Sequence, residues 1–215
     1  MYSKISIIMS VILITAAILT VLSSSMLQVS YAQLSVDEQN IIENMHNQER
    51  ANVQVPTLTW SDSLARDAQS WANYIASLNL RPVTNTDPGD LAPHASWEQR
   101  KGQGENLAWG AKGYFPVSTF VEGWANEKSN CPPGCMIPPD GSLGTPPRVY
   151  GHYTQMVWST VTQIGCGKAT DANQDYLVCR YDQSGNYPNQ APYGQQPAAA
   201  MGEEENTLGD QGAVQ

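Results

Sequence analysis

Positive charge is scarce in this chain: 11 Lys and Arg stand against 20 Asp and Glu, a formal net charge of −9. No basic surface is available for a phosphate backbone, so nucleic acid is excluded as the expected partner. Histidine is limited to three residues and cysteine to four. One Cys-x-x-x-Cys without a second such pair falls short of a zinc-ribbon set, and no serine sits in a Gly-x-Ser-x-Gly elbow that would make it a nucleophile. Charged residues are only 14% of the 215 against about a quarter in an average domain, which argues against a coiled coil. Apolar residues at 41% suffice for a core, and 17 Gly with 14 Pro supply loops. The length fits one domain with appendages.

Lys4 precedes an apolar stretch from Ile5 to Leu22, and Ser30-Tyr31-Ala32 offers small residues at the two positions a signal peptidase reads. Cleavage after Ala32 is expected, making residues 1–32 a signal peptide. An uncleaved membrane anchor over residues 5–22 is the alternative, since the stretch approaches the roughly 20 residues that span a bilayer. Cleavage removes one lysine and no acid, so the exported product stays acidic.

An exported chain oxidises its thiols, and four cysteines allow three pairings. Residues 162–168 and 176–182 read as strands around the polar turn Asp171-Ala172-Asn173-Gln174. A hairpin centred there sets Cys166 opposite Cys179, Ile164 opposite Tyr181 and Lys168 opposite Leu177, so Ile164, Leu177 and Tyr181 share a face with both sulfurs. This register favours a Cys166–Cys179 disulfide and leaves Cys131 with Cys135 in the ring Cys-Pro-Pro-Gly-Cys. A metal site at that Cys-x-x-x-Cys is the rival reading.

Ser35 and Glu38 spell a capping box before a helix over about 36–52. Trp60-Ser61-Asp62 opens a second, with Leu64, Ala68, Trp71, Ala72, Ile75 and Leu78 at helical spacing. The prolines of 79–101 predict a loop. A third helix is expected over 117–129, with Pro116 in its first turn and Phe120, Val121 and Trp124 on its apolar side. Residues 131–149, rich in proline and glycine, predict an irregular excursion, followed by a short helix from Tyr153 to Trp158. The hairpin and a strand near Asn106–Trp109 make a small antiparallel sheet, so the fold class is α+β. From about 190 the chain turns to Gln, Gly, Pro and Ala with the run Glu203-Glu204-Glu205, and residues 191–215 are expected to form a disordered acidic tail.

Singly, the histidines have plain explanations: His46 as a hydrogen-bonded helix residue, His94 as a solvated loop residue, His152 at the start of a short helix. They stand, however, inside ordered words: His46-Asn47-x-x-Arg50, Gly104-Glu105-Asn106-Leu107, Gly151-His152-Tyr153-Thr154-Gln155-Met156-Val157-Trp158, and Val178-Cys179-x-Tyr181-x-x-x-Gly185-Asn186-Tyr187. Together these resemble the CAP superfamily of cysteine-rich secretory proteins, antigen 5 and plant pathogenesis-related 1 proteins, the SCP domain. The resemblance covers about residues 37 to 193, which places the domain at 33–190. It implies a three-layer α-β-α sandwich and a central cleft lined by two histidines and two acids, which fall here on His94, Glu105, Glu127 and His152.

Neutral imidazoles with carboxylates suit Zn²⁺ or another divalent cation. The resemblance implies a secreted binding or interaction module for a lipid, sterol, glycan or protein, a role preferred here to catalysis. The alternative is a Zn-dependent hydrolase or peptidase in which Glu105 or Glu127 acts as general base. A structural envelope role is the third reading.

Overall fold

The computed structural model describes residues 33–82 and 89–194. The expected signal segment and the acidic run lie outside them. Among the described residues no helix is long and apolar enough to cross a membrane.

Helix α1, Val36–Asn52, starts as the sequence predicts: Ser35 Oγ accepts from Glu38 N, and the Glu38 side chain accepts from Ser35 N. Strand β1, Thr59–Trp60, leads into α2, Asp62–Ser77, capped by Ser61. α2 buries Leu64, Ala68, Ala72 and Ile75 along one stripe. The predicted loop 79–101 holds an unpredicted single turn, α3, Trp97–Arg100, with its own capping box between Ser96 and Gln99. Strand β2 is Gly104–Ala111, and α4 is Val117–Asn126, with Pro116 as its N-cap. The expected third helix tightens into a 3-10 turn at Glu127–Asn130. The excursion carries a two-residue hairpin, β3 Gly144–Thr145 with β4 Arg148–Val149. The short helix α5 runs Gly151–Met156, two residues earlier than expected.

The hairpin strands β5, Gln163–Thr170, and β6, Gln174–Tyr181, take the expected register: Ile164 pairs Tyr181, Cys166 pairs Cys179, Lys168 pairs Leu177. Both disulfides, Cys166–Cys179 and Cys131–Cys135, are formed. The main sheet has the order β1-β5-β6-β2. It is antiparallel except at one edge, where β1 runs parallel to β5.

Alternation along these strands builds three layers. Ile164, Cys166, Leu177, Cys179 and Tyr181 face a core shared with Ile42 of α1, Phe120, Val121 and Trp124 of α4, and Met156 of α5. Ala169, Tyr176, Val178 and Leu107 face the other way, onto Ala68, Ala72 and Ile75 of α2. The architecture is therefore the α-β-α sandwich. Gly165 and Gly167 of β5 make the second contact possible: a Cβ at Gly165 would sit 2.2 Å from Ala65 N, and one at Gly167 2.3 Å from Gln69 Cα, so only glycine admits the α2 backbone this close. Packing continues past the expected boundary at 190, since Pro192 O accepts from Ser159 N and Tyr193 is buried.

The first sequence word is a structural clamp. His46 is fully buried, with Nδ1 2.8 Å from Ile42 O and Nε2 2.9 Å from Tyr181 Oη. A carbonyl can only accept, so Nδ1 donates and Nε2 accepts a hydrogen bond from the Tyr181 hydroxyl. Asn47 exchanges two hydrogen bonds with the Leu58 backbone. Buried Arg50 donates to the carbonyls of Pro56, Met156, Trp158 and Val161. The segments after α1 and after α5 are thereby tied to one helix.

Candidate functional site

Two histidines from distant parts of the chain line one cleft of about 210 Å³, together with Glu105, Asn106, Leu143, Val149, Gly151 and Asn186. His152 is delivered by the first turn of α5. His94 comes from the loop before α3, which is held down by Trp71 Nε1 donating to Pro93 O at 3.1 Å and by buried Ala92 and Ala95 on either side. His46 lies elsewhere, in the clamp.

Each histidine is backed by a carboxylate. His94 Nδ1 lies 2.6 Å from Glu105 Oε1, which also accepts from Ala95 N at 3.0 Å. His152 Nδ1 lies 2.6 Å from Glu127 Oε1, while Glu127 Oε2 accepts from the main-chain N–H of His152 at 2.9 Å and of Tyr153 at 3.3 Å. A carboxylate has no proton to give, so each Nδ1 donates and each Nε2 is left on the far side of its ring as the acceptor or metal-binding nitrogen. The His94 side chain is 53% exposed and that of His152 30%, against 0% and 11% for Glu105 and Glu127. Solvent and ligand therefore reach the imidazoles, while the acids stand behind them.

The four expected residues are thus two His–carboxylate pairs rather than one ring of four ligands. Among the described residues no group of three or more His, Cys, Asp or Glu side chains is placed to hold a metal ion. Glu127 has both oxygens engaged, and Glu105 holds His94 and Ala95 on Oε1 with Oε2 buried against Arg180, so neither presents a solvent-facing basic oxygen of the kind the hydrolase alternative requires. The donor set that remains is the two imidazole Nε2 atoms. Two imidazoles alone do not make a closed four-ligand site.

Sequence reasoning missed the supports. Arg180, the unspecified position of the word Val178-Cys179-x-Tyr181, pairs with Glu105 across β6 and β2, its Nη2 2.9 Å from Glu105 Oε2 with both side chains buried. The contact is close but poorly aligned: Glu105 Oε2 and the Nε and Nη1 of Arg180 complete no hydrogen bond among the described residues. Burial draws the Arg180 guanidinium below its ordinary pKa, and Glu105 draws it back up. Asn106 Nδ2 donates to His152 O at 3.0 Å, and Asn186 bridges Thr154 Oγ1 and Gly151 O, fixing α5 against the cleft.

His152 also borders a second hollow of about 280 Å³ between β2 and α4, lined by Leu107, Ala108, Trp109, Phe120, Trp124 and Glu127 among others. Its lining is mostly apolar, and the ring of Phe120 in its wall lies 6.0 Å from that of exposed Phe115. The imidazole of His152 thus borders both hollows.

Comparison with known proteins agrees with this architecture. The model of the cysteine-rich secretory protein family, CAP, matches residues 43–181. Pathogenesis-related protein 1C of Nicotiana tabacum is 34% identical over 149 residues, covering 69% of this chain and 76% of that protein. Venom allergen 5.02 of Dolichovespula maculata is 32% identical over 181 residues, covering 74% and 78%. Among solved structures, NaASP2 with Zn²⁺ superposes with a TM-score of 0.59 at 23% identity, covering 76% of this chain and 88% of that one. Na-ASP-1 does so with a TM-score of 0.64 at 19% identity, covering 80% of this chain and 45% of its own.

Proposed function

Because the chain belongs to the cysteine-rich secretory protein (CAP) family, we propose that it is an exported binding module for amphiphilic ligands, with His94 and His152 as its polar contact. The observation that carries this reading is the position of His152 on both hollows, one shared with His94, the other walled by Ala108, Phe120 and Trp124. Such a pair of sites accepts a polar headgroup beside an apolar tail. At about 280 Å³ the apolar hollow is at the lower edge of the roughly 300–1,000 Å³ typical of enclosing ligand sites. It would therefore take the end of an acyl chain rather than engulf a whole sterol, and among the ligand classes considered a lipid is favoured over a glycan.

A divalent cation would be held in the same cleft by the two Nε2 atoms. That a protein of this fold has been solved with Zn²⁺ names the ion to try first. When bound, it supplies a positive charge that attracts an anionic headgroup. The rest is done by this chain's own side chains: Glu105 and Glu127 fix the two rings by holding their Nδ1 protons, and Asn106 and Asn186 brace α5.

The test is fatty-acid binding by the full chain, with and without Zn²⁺, in wild type and Phe120→Asp. Saturable binding that the substitution abolishes supports the reading. Absence of binding, or binding unaffected by a charge in the apolar wall, removes it.

A further inference from the structure

The two carboxylates do the same task with different anchors. Glu127 is held by main-chain N–H groups at the start of α5, so its geometry comes with the helix itself. Glu105 has one main-chain donor, Ala95 N, on the oxygen it shares with His94; its other oxygen lies 2.9 Å from Arg180 Nη2 and has no hydrogen-bond partner among the described residues. In turn, Arg180 is almost wholly buried, and its Nε and Nη1 find no hydrogen-bond partner among the described residues, which leaves Glu105 as its nearest counter-charge at 2.9 Å. A buried ion pair of this kind is weakly screened and strongly couples the positions of its members.

We infer that Arg180 is the positioning residue of the His94 arm: by drawing Glu105 Oε2 toward β6 it aims Oε1 at His94 Nδ1 and thereby turns His94 Nε2 to the cleft. The inference rests on the reading of that cleft as a binding site. Its chain of contacts, Arg180 to Glu105 to His94, crosses from β6 to β2 to the loop before α3. His152 is outside it, because among the described residues the hydrogen bonds of Glu127 go to His152 and Tyr153 and none to Arg180. The device is thus asymmetric, and a change at position 180 separates the two histidines where a general loosening of the fold would not.

The test uses the full chain, free of metal and labelled with ¹⁵N in histidine, as wild type, R180Q and R180M. Long-range ¹H–¹⁵N spectra report which ring nitrogen carries the proton. In wild type both cleft histidines are expected in the Nδ1–H form. In either variant His94 is expected to shift to a mixture of tautomers while His152 keeps its wild-type pattern. Zn²⁺ affinity is expected to fall about tenfold, the lower end of what loss of a supporting partner costs a metal-binding histidine. An unaltered His94 pattern, or His94 and His152 changing together, overturns the inference. If neither variant folds, Arg180 serves the fold rather than the arm, and the inference is likewise overturned. The spectra need no metal, so failure of Zn²⁺ to bind wild type would count against the cleft's proposed function while leaving the Arg180 result readable.

Discussion

The His152 imidazole lies nearly parallel to the Trp124 indole, with ring centroids 6.0 Å apart and planes 20° from one another. The same indole meets His46 edge-on at 6.4 Å. One buried tryptophan of α4 therefore touches both the structural clamp and the candidate site. Trp124→Ala is expected to cost about 3–5 kcal/mol, the usual range for deleting a large buried ring, and to loosen the His152 ring. Urea denaturation measures the first effect, and histidine spectra of the folded fraction the second.

His46 gives the fold a pH dependence whose sign can be worked out. Burial pushes its pKa down from 6.5 to about 4, so the ring stays neutral in the folded protein while the unfolded chain takes up a proton below about 6.5. Between those values the unfolded state binds more protons, and stability falls as the pH falls. The contribution is fully present above pH 6.5 and about 3 kcal/mol of it is lost by pH 4. Comparing wild type with His46→Phe by chemical denaturation between pH 7 and pH 4 isolates it: the variant should show a flatter profile over this window. Parallel profiles would show that His46 does not carry the dependence.

Arg50 makes its four hydrogen bonds to main-chain carbonyls from three separate stretches, Pro56, Met156–Trp158 and Val161. Arg50→Met removes every donor at once and leaves buried carbonyls at about 1–3 kcal/mol each. The expected result is a loss of at least 4 kcal/mol or failure to fold, read as soluble yield and as the denaturation midpoint. A loss under 1 kcal/mol would mean that water replaces the guanidinium.

The Cys166–Cys179 disulfide, separated by 13 positions, is expected to contribute about 3 kcal/mol by restricting the unfolded chain, and the short Cys131–Cys135 ring about 1 kcal/mol less. Replacing each pair by alanine and measuring stability gives the order. A non-reduced digest should join the peptides of Cys166 and Cys179.

Where the sequence is legible, the reason is local or redundant. The hairpin register is recoverable because a two-residue alternation and a cysteine pair both demand it, and shifting by one residue would turn Ile164 and Tyr181 out of the core. Helix α1 carries its capping box in plain letters. The single turn of α3 escapes because four residues show no periodicity, although Ser96 and Gln99 spell the same box. Glu127 is found by its helix spacing, even though the helix has by then tightened. Arg180 is invisible for a different reason: its link to Glu105 depends on β2 pairing with β6, a non-local contact that no spacing along the chain encodes. The histidines that line the cleft could be read from the sequence, whereas the residues that aim them could not.

The account stands most directly on the shared cleft of His94 and His152. Calorimetric titration of the metal-free full chain with Zn²⁺ tests it, using wild type, His94→Ala and His152→Ala. One equivalent of ion bound by wild type, with affinity lost at least tenfold in each variant, is the expected result. No binding by wild type, or an affinity unchanged in either variant, would contradict it.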